Sequence, residues 1–191
     1  MTQEKGRKAF SDVLSNTLAR VTDFLKFAET KNAALLTFAS AWTFAAFSTL
    51  TGERAPVGVV GGAFRLALVL FAMAAVVMVV SFLPKLNLYA FHRDPAQPKN
   101  LLYFGHIAEF DTAVFRLRVQ ERYLAQGEQP ITDEYLDDLM VQISANSKIT
   151  RRKFIMFNVG AGLVLLALFV LALAAASAAI NHASAGALLW G

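Results

Sequence analysis

FIMFNVGAGLVLLALFVLALAAASAAIN, residues 154–181, runs for twenty-eight positions without a charged side chain. A helix needs only ~20 apolar residues to cross the ~30 Å hydrocarbon core of a bilayer. Two further runs qualify: NAALLTFASAWTFAAFSTLTG at 32–52 and LALVLFAMAAVVMVVSFLP at 66–84. None shows the alternation of a barrel strand, and only helices or closed barrels satisfy their own backbone groups in lipid. The sequence therefore predicts an all-α integral membrane protein with three transmembrane helices.

The basic residues orient these spans. Lys5, Arg7, Lys8, Arg20, Lys26 and Lys31 precede the first run, and ten of the eighteen Lys and Arg residues lie between the second and third. Arg54 alone sits in the short turn after the first run, and no basic residue follows the third. By the positive-inside rule the N-terminus and residues 85–153 are expected in the cytoplasm, and the turn and the tail outside it. The expected parts are an amphipathic cytoplasmic helix at 1–31, a transmembrane hairpin at 32–84 with spans at 32–52 and about 57–84, and an insert at 85–153. The third span, 154–181, and an external tail, 182–191, complete the chain. The surplus charge of +4 follows from this topology and from anionic headgroups, so it implies no nucleic-acid partner.

Helical order continues outside the runs. Phe10, Val13, Leu14, Leu18, Val21, Leu25 and Ala28 recur every three or four residues, and no Pro or Gly separates them from Asn32. One long rod is expected there. Beyond the Gly- and Pro-marked turn, Arg65 either snorkels to the interface or stands within the membrane, depending on where its helix begins. The Pro- and Asn-punctuated start of the insert is not a long helix. A helix is expected at 110–125 with Phe110, Val114, Leu117, Glu121 and Leu124 as its stripe, ended by Gly127 and Pro130. Thr132 is a good N-cap with Asp133 and Glu134 behind it, and the stripe Leu136, Leu139, Met140 and Ile143, then Ser147 and Thr150, follows. With no breaker before Gly160, this helix should enter the third span. The extensions and the insert should then form one cytoplasmic helical module.

Catalytic chemistry has little support. The chain has no cysteine, and His92, His106 and His182 are too scattered for metal-ligand spacing. Asp133, Glu134, Asp137 and Asp138 read as a solvated helix face. Glycine-rich phosphate loops are absent, so no enzyme activity, cofactor or metal is expected. The module does combine Lys and Arg with aromatic side chains, which suits a small anionic ligand carrying a flat base.

Three stretches carry a family likeness: FAETKNA at 27–33, NLLYFGHIA at 100–108 and DLMVQISANSKI at 138–149. In this order relative to the spans, they resemble the transmembrane effectors of the Pycsar anti-phage systems. The resemblance implies a bacterial inner-membrane protein that senses a cyclic pyrimidine mononucleotide, cUMP or cCMP, made by a partner cyclase. It further implies that the protein then impairs the membrane and causes abortive infection. The polar and aromatic residues of these stretches are the candidate ligand contacts. Lys31 and Lys148 would face the phosphate, Asn100 or Asn146 the pyrimidine edge, Tyr103 or Phe104 would stack on the base, and Glu29 and His106 would complete the set.

Three such spans cannot enclose a wide aqueous path, so a homo-oligomer in the lipid bilayer is expected. Its candidate contacts are Gly58, Gly62, Asn158 and Gly162, where small residues allow close approach and an amide can bond across helices. The competing reading is a non-enzymatic scaffold or accessory subunit of a membrane complex, without a nucleotide ligand.

Overall fold

The computed structural model describes residues 2–83, 100–124 and 131–188. The punctuated stretch at 84–99 with His92, the break at Gly127 and Pro130, and residues 189–191 lie outside the described residues. Five helices follow one another: α1 (Thr2–Thr51), α2 (Gly58–Phe82), α3 (Phe104–Ile107), α4 (Thr112–Tyr123) and α5 (Asp133–Leu188). Helices α1, α2 and α5 are each long and apolar enough to cross a membrane. The two continuous rods are thus present: α1 has no break before Asn32, and α5 runs unbroken past Gly160.

The chain divides into two compact units. Ala28–Leu83 and Arg152–Gly191 form a membrane unit, and Met1–Phe27 and Pro84–Arg151 form an insert unit.

In the membrane unit α2 runs antiparallel to α1 and α5 parallel to it. The register with α2 is fixed at one end by Asn32 Nδ2, which donates to Ser81 Oγ at 2.7 Å, and further along by Trp42 stacked on Phe71 with ring centres 5.7 Å apart. Small residues set the spacing: Ala39, Ala67, Ala74 and Ala167 pack with Leu70, Phe71 and Val164 in the buried core. A Cβ on Gly160 would stand 2.7 Å from Met78 Cε and 3.2 Å from Leu35 Cδ2, so the three helices approach closely there. With no hydrophobic drive between helices in lipid, such close packing and interhelical hydrogen bonds hold spans together.

The polar end of this unit joins all three helices. Lys153 Nζ donates to the carbonyl of Ser81 at 3.1 Å and pairs with Glu29 at 3.2 Å. Ser81 lies one residue from the end of α2, so the ammonium sits where unpaired carbonyls and the negative end of the helix dipole favour a cation. Asn32, fully buried, also approaches the Lys153 carbonyl at 3.5 Å. Each such bond within a bundle contributes about 0.6–2 kcal/mol.

The turn between α1 and α2 accounts for two glycines. Gly58 opens α2 with φ of +62°, a conformation that disfavours other residues, and a Cβ on Gly61 would collide with the Pro56 carbonyl. Gly62 has nothing within 4 Å of its Cβ direction, so no contact inside the chain uses it. Because α2 begins at Gly58, the register places Arg65 level with Ser48, roughly 4.5 Å short of the end of α1. Arg65 is exposed there, close to the turn that joins the two helices.

In the insert unit, polar contacts rather than apolar stripes set the helix rotations. Arg7 Nη2 donates to the Ile131 carbonyl at 2.9 Å and pairs with Asp133 at 2.7 Å. Ser11 is buried, and Leu14, Leu18, Val21, Leu25 and Ala28 of the expected stripe turn inward, whereas Phe10 and Val13 at its start are exposed. Thr132 caps α5 as expected, its Oγ1 accepting from the Tyr135 amide at 3.2 Å. Met140 of the expected α5 stripe is exposed. On α4, two residues shorter at each end than expected, Val114 and Leu117 face outward, as does Leu124 at its C-cap. Phe115, Val119, Arg122 and Tyr123 turn inward instead.

Packing at Gly160 and Gly162 of α5 gives opposite expectations. Gly160→Leu should destabilise the protein in detergent by ~1–3 kcal/mol, because the side chain must displace Met78 and Leu35. Gly162→Leu, with open space before it, should change unfolding by less than ~0.5 kcal/mol. Equal denaturation midpoints for the two variants would contradict this packing.

Candidate functional site

The segment 100–108 is a compact polar and aromatic loop in the insert unit. Asn100, almost fully buried, accepts the Leu102 amide on Oδ1 at 2.8 Å, forming a local turn, and donates from Nδ2 to the Asp138 carbonyl at 3.0 Å. A base edge at Asn100 would have to compete with both bonds. His106 lies with Nδ1 3.2 Å from the Asn100 carbonyl. A carbonyl only accepts, so the bond requires the hydrogen on Nδ1, and Nε2 of the neutral ring is left as an acceptor.

Tyr103 stands between two rings, 4.8 Å from Phe104 and 5.2 Å from His106, the latter edge-on. A Cβ on Gly105 would come within 2.5 Å of Tyr103 Cε1, so glycine allows the tyrosine ring to fold back over the turn. Phe104 is 65% exposed. The loop therefore offers a solvent-facing aromatic platform backed by a second ring, the form of surface on which a base stacks.

The loop is tied to α5 through Asp138, which was expected on a solvated face and is instead buried, 4% exposed. Asp133, Glu134 and Asp137 are exposed, as expected of that cluster. Arg122 grips the Asp138 carboxylate in bidentate fashion, Nε to Oδ2 at 2.9 Å and Nη2 to Oδ1 at 3.1 Å. The Tyr123 hydroxyl donates to the same Oδ2 at 2.5 Å, and Tyr123 packs edge-on against Tyr135. Burial and then the Asp138 carboxylate hold the Tyr123 hydroxyl well above its ordinary range, so it stays a donor. Burial alone would lower the Arg122 guanidinium, but the hydrogen bonds and charge of Asp138 outweigh it and raise it. Both side chains therefore keep their protons, and keep donating to Asp138, throughout the physiological range. Sequence reading missed this knot because a helix surface with four carboxylates hides the single one that turns inward. The adjacent Arg122-Tyr123 pair at the end of α4 was the available signal.

The remaining candidates are distributed. Asn146 is half-buried on α5 and Lys148 is exposed; two positions apart on a helix, they face nearly opposite sides and do not converge. Glu29 and Lys31 belong to the membrane unit, where Glu29 pairs with Lys153 and the Lys31 ammonium lies 5.4 Å from the centre of the Phe157 ring. Asn158 and Gly162 are exposed one turn apart on α5. Among the described residues no three His, Cys, Asp or Glu side chains converge as metal ligands.

Comparison with known proteins agrees with this architecture. No solved structure matches the chain. The chain is 38% identical over 155 residues to the Pycsar effector protein RsPycTM of a Rhizobium species, covering 81% of this chain and 87% of the relative. The Pycsar effector protein domain, PycTM, matches residues 13–180, which takes in parts of both units and all three apolar spans. A match of that extent, with a relative so similar along most of its length, makes this chain a member of the PycTM family of Pycsar effector proteins.

Proposed function

We propose that the chain is a non-enzymatic membrane effector of a bacterial anti-phage system. It senses cUMP or cCMP from a partner cyclase in the cytoplasm and impairs the inner membrane, so that the infected cell stops growing, an abortive infection. The observation that carries this reading is the PycTM family match along residues 13–180. The insert unit supports it with an exposed aromatic platform braced against α5, a chemistry suited to a pyrimidine ring. Turning a population from about 1:99 to 99:1 needs ~5.5 kcal/mol of ligand preference for the active state, which several copies share more easily than one.

Calorimetry in detergent should show cUMP or cCMP binding to the full chain. Phe104→Ala should weaken it by ~1–3 kcal/mol, the contribution of a base stacked on an aromatic ring. If neither nucleotide binds, the sensing role is wrong and the scaffold reading replaces it.

Orientation follows from the sixteen basic residues before the first span and within the insert, against Arg54 alone in the turn. The N-terminus and insert are placed in the cytoplasm and the C-terminus in the periplasm. A phosphatase reporter fused after Gly191 should be active, and a fusion at the same point that fluoresces only in the cytoplasm should be dark. The reverse pattern would overturn the orientation.

The damaging state is a homo-oligomer in which the Asn158 and Gly162 face of α5 meets a neighbour. An amide facing hydrocarbon gains from a partner across an interface, and Gly162 leaves room for one. Gly162→Leu, which should fold as the parent does, is expected to abolish nucleotide-triggered growth arrest while retaining nucleotide binding. Full toxicity of that variant would exclude this face.

A further inference from the structure

Asp138, Gln142, Asn146 and Thr150 follow at four-residue spacing on α5, which sets them along one strip of the helix. The strip turns polar atoms inward where a packed helix ordinarily turns apolar ones. Asp138 is 4% exposed, Gln142 and Thr150 are 8% exposed, and Asn146 is half-buried. Asp138 is fully engaged by Arg122, Tyr123 and Asn100. Gln142 Nε2 and Thr150 Oγ1, by contrast, are buried with no hydrogen-bond partner among the described residues.

Thr150 is the more telling case. On α1, Thr17, Thr37, Thr43, Thr49 and Thr51 each donate to the carbonyl four residues earlier. That bond is open to any helical threonine, and Thr150 does not make it. Buried polar groups are nearly always bonded, and leaving one unmade lowers stability. Two such groups on one strip are therefore open to a partner that the described residues do not supply.

We propose that Gln142, Asn146 and Thr150 are the contacts that α5 makes with the nucleotide, an inference that rests on the sensing role above and assigns its residues. Gln142 Nε2 donates to a pyrimidine carbonyl. The Asn146 amide, both donor and acceptor, meets the base edge or the ribose, and the Thr150 hydroxyl donates to a phosphate oxygen. From Gln142 to Thr150 the helix rises ~12 Å, which suits one mononucleotide laid along it and is short for a dinucleotide. Gln142 is one turn from Asp138, whose carbonyl holds Asn100, so the base end of the strip lies next to the loop that carries Tyr103 and Phe104. The ligand supplies acceptors to two groups that have none among the described residues.

This assignment predicts effects of opposite sign. Gln142→Leu and Thr150→Val delete the orphaned polar groups with little change of shape. Each should raise the melting temperature of the ligand-free protein in detergent by roughly 2–4 °C, since a buried unpaired group is gone. Each should also weaken cUMP or cCMP binding at least tenfold by calorimetry. Thr150→Ser, which restores the hydroxyl, should bind within about threefold of the parent. If the parent binds and both apolar variants bind equally well, the strip is not the contact surface. If they lose binding together with stability, the residues are structural and the assignment also fails. A parent that binds neither nucleotide removes the sensing role itself, and the ligand of the strip with it.

Discussion

Hydrocarbon offers a backbone no hydrogen-bond partner, and this constraint shapes the protein well beyond the bilayer. A segment entering the membrane must already be helical, and a helix that is already formed extends at little further cost per residue. Helices α1 and α5 show the result: both begin in the insert unit and continue through the membrane unit without interruption. Where the chain does need to turn, between Thr51 and Gly58, it does so with glycines in conformations or approaches that a side chain would not permit.

Inside the spans, polar side chains are confined to a few uses. The threonines of α1 return their hydroxyls to their own helix, and Asn32, Ser81, Glu29 and Lys153 gather at one end, where they join three helices. The insert unit follows a different rule. Its helices are oriented by ion pairs, Arg7 with Asp133 and Arg122 with Asp138, and α4 buries no residue fully. A buried pair such as the second adds little net stability over apolar packing, but it penalises any rotation that separates the charges. It specifies one arrangement of short helices that apolar contacts alone would leave loose.

That contrast explains what was legible in the sequence. The spans, the two unbroken rods, the Thr132 cap and the turn before α2 depend on local composition, and each was readable from consecutive residues. Most of the stripe at 10–28 turns inward as read, but its start, Phe10 and Val13, and the stripe on α4 do not, where Arg7 and Arg122 bond to partners distant in the chain. For the same reason Asp138 read as one carboxylate among four. Of the candidate ligand residues, Asn100, Tyr103, Phe104 and His106 do share one loop, because a glycine and an asparagine turn close it locally. Asn146 and Lys148 were grouped as polar residues of one family-like stretch, and helical geometry separates them.

The hydrogen bond from Lys153 to the Ser81 carbonyl also closes a circuit. The two residues are 72 positions apart, and the insert between them becomes a loop whose ends are held together by the membrane unit. Bringing such ends together from a free chain costs roughly 4 kcal/mol in lost configurations, on the (3/2)RT ln n scaling. Once the three spans are assembled that entropy has already been surrendered, so the loop folds as a tethered chain. The small, charge-oriented helices of the insert unit, too short to persist in isolation, therefore depend on the lipid-embedded segments for the chain-entropy term that makes their folding favourable.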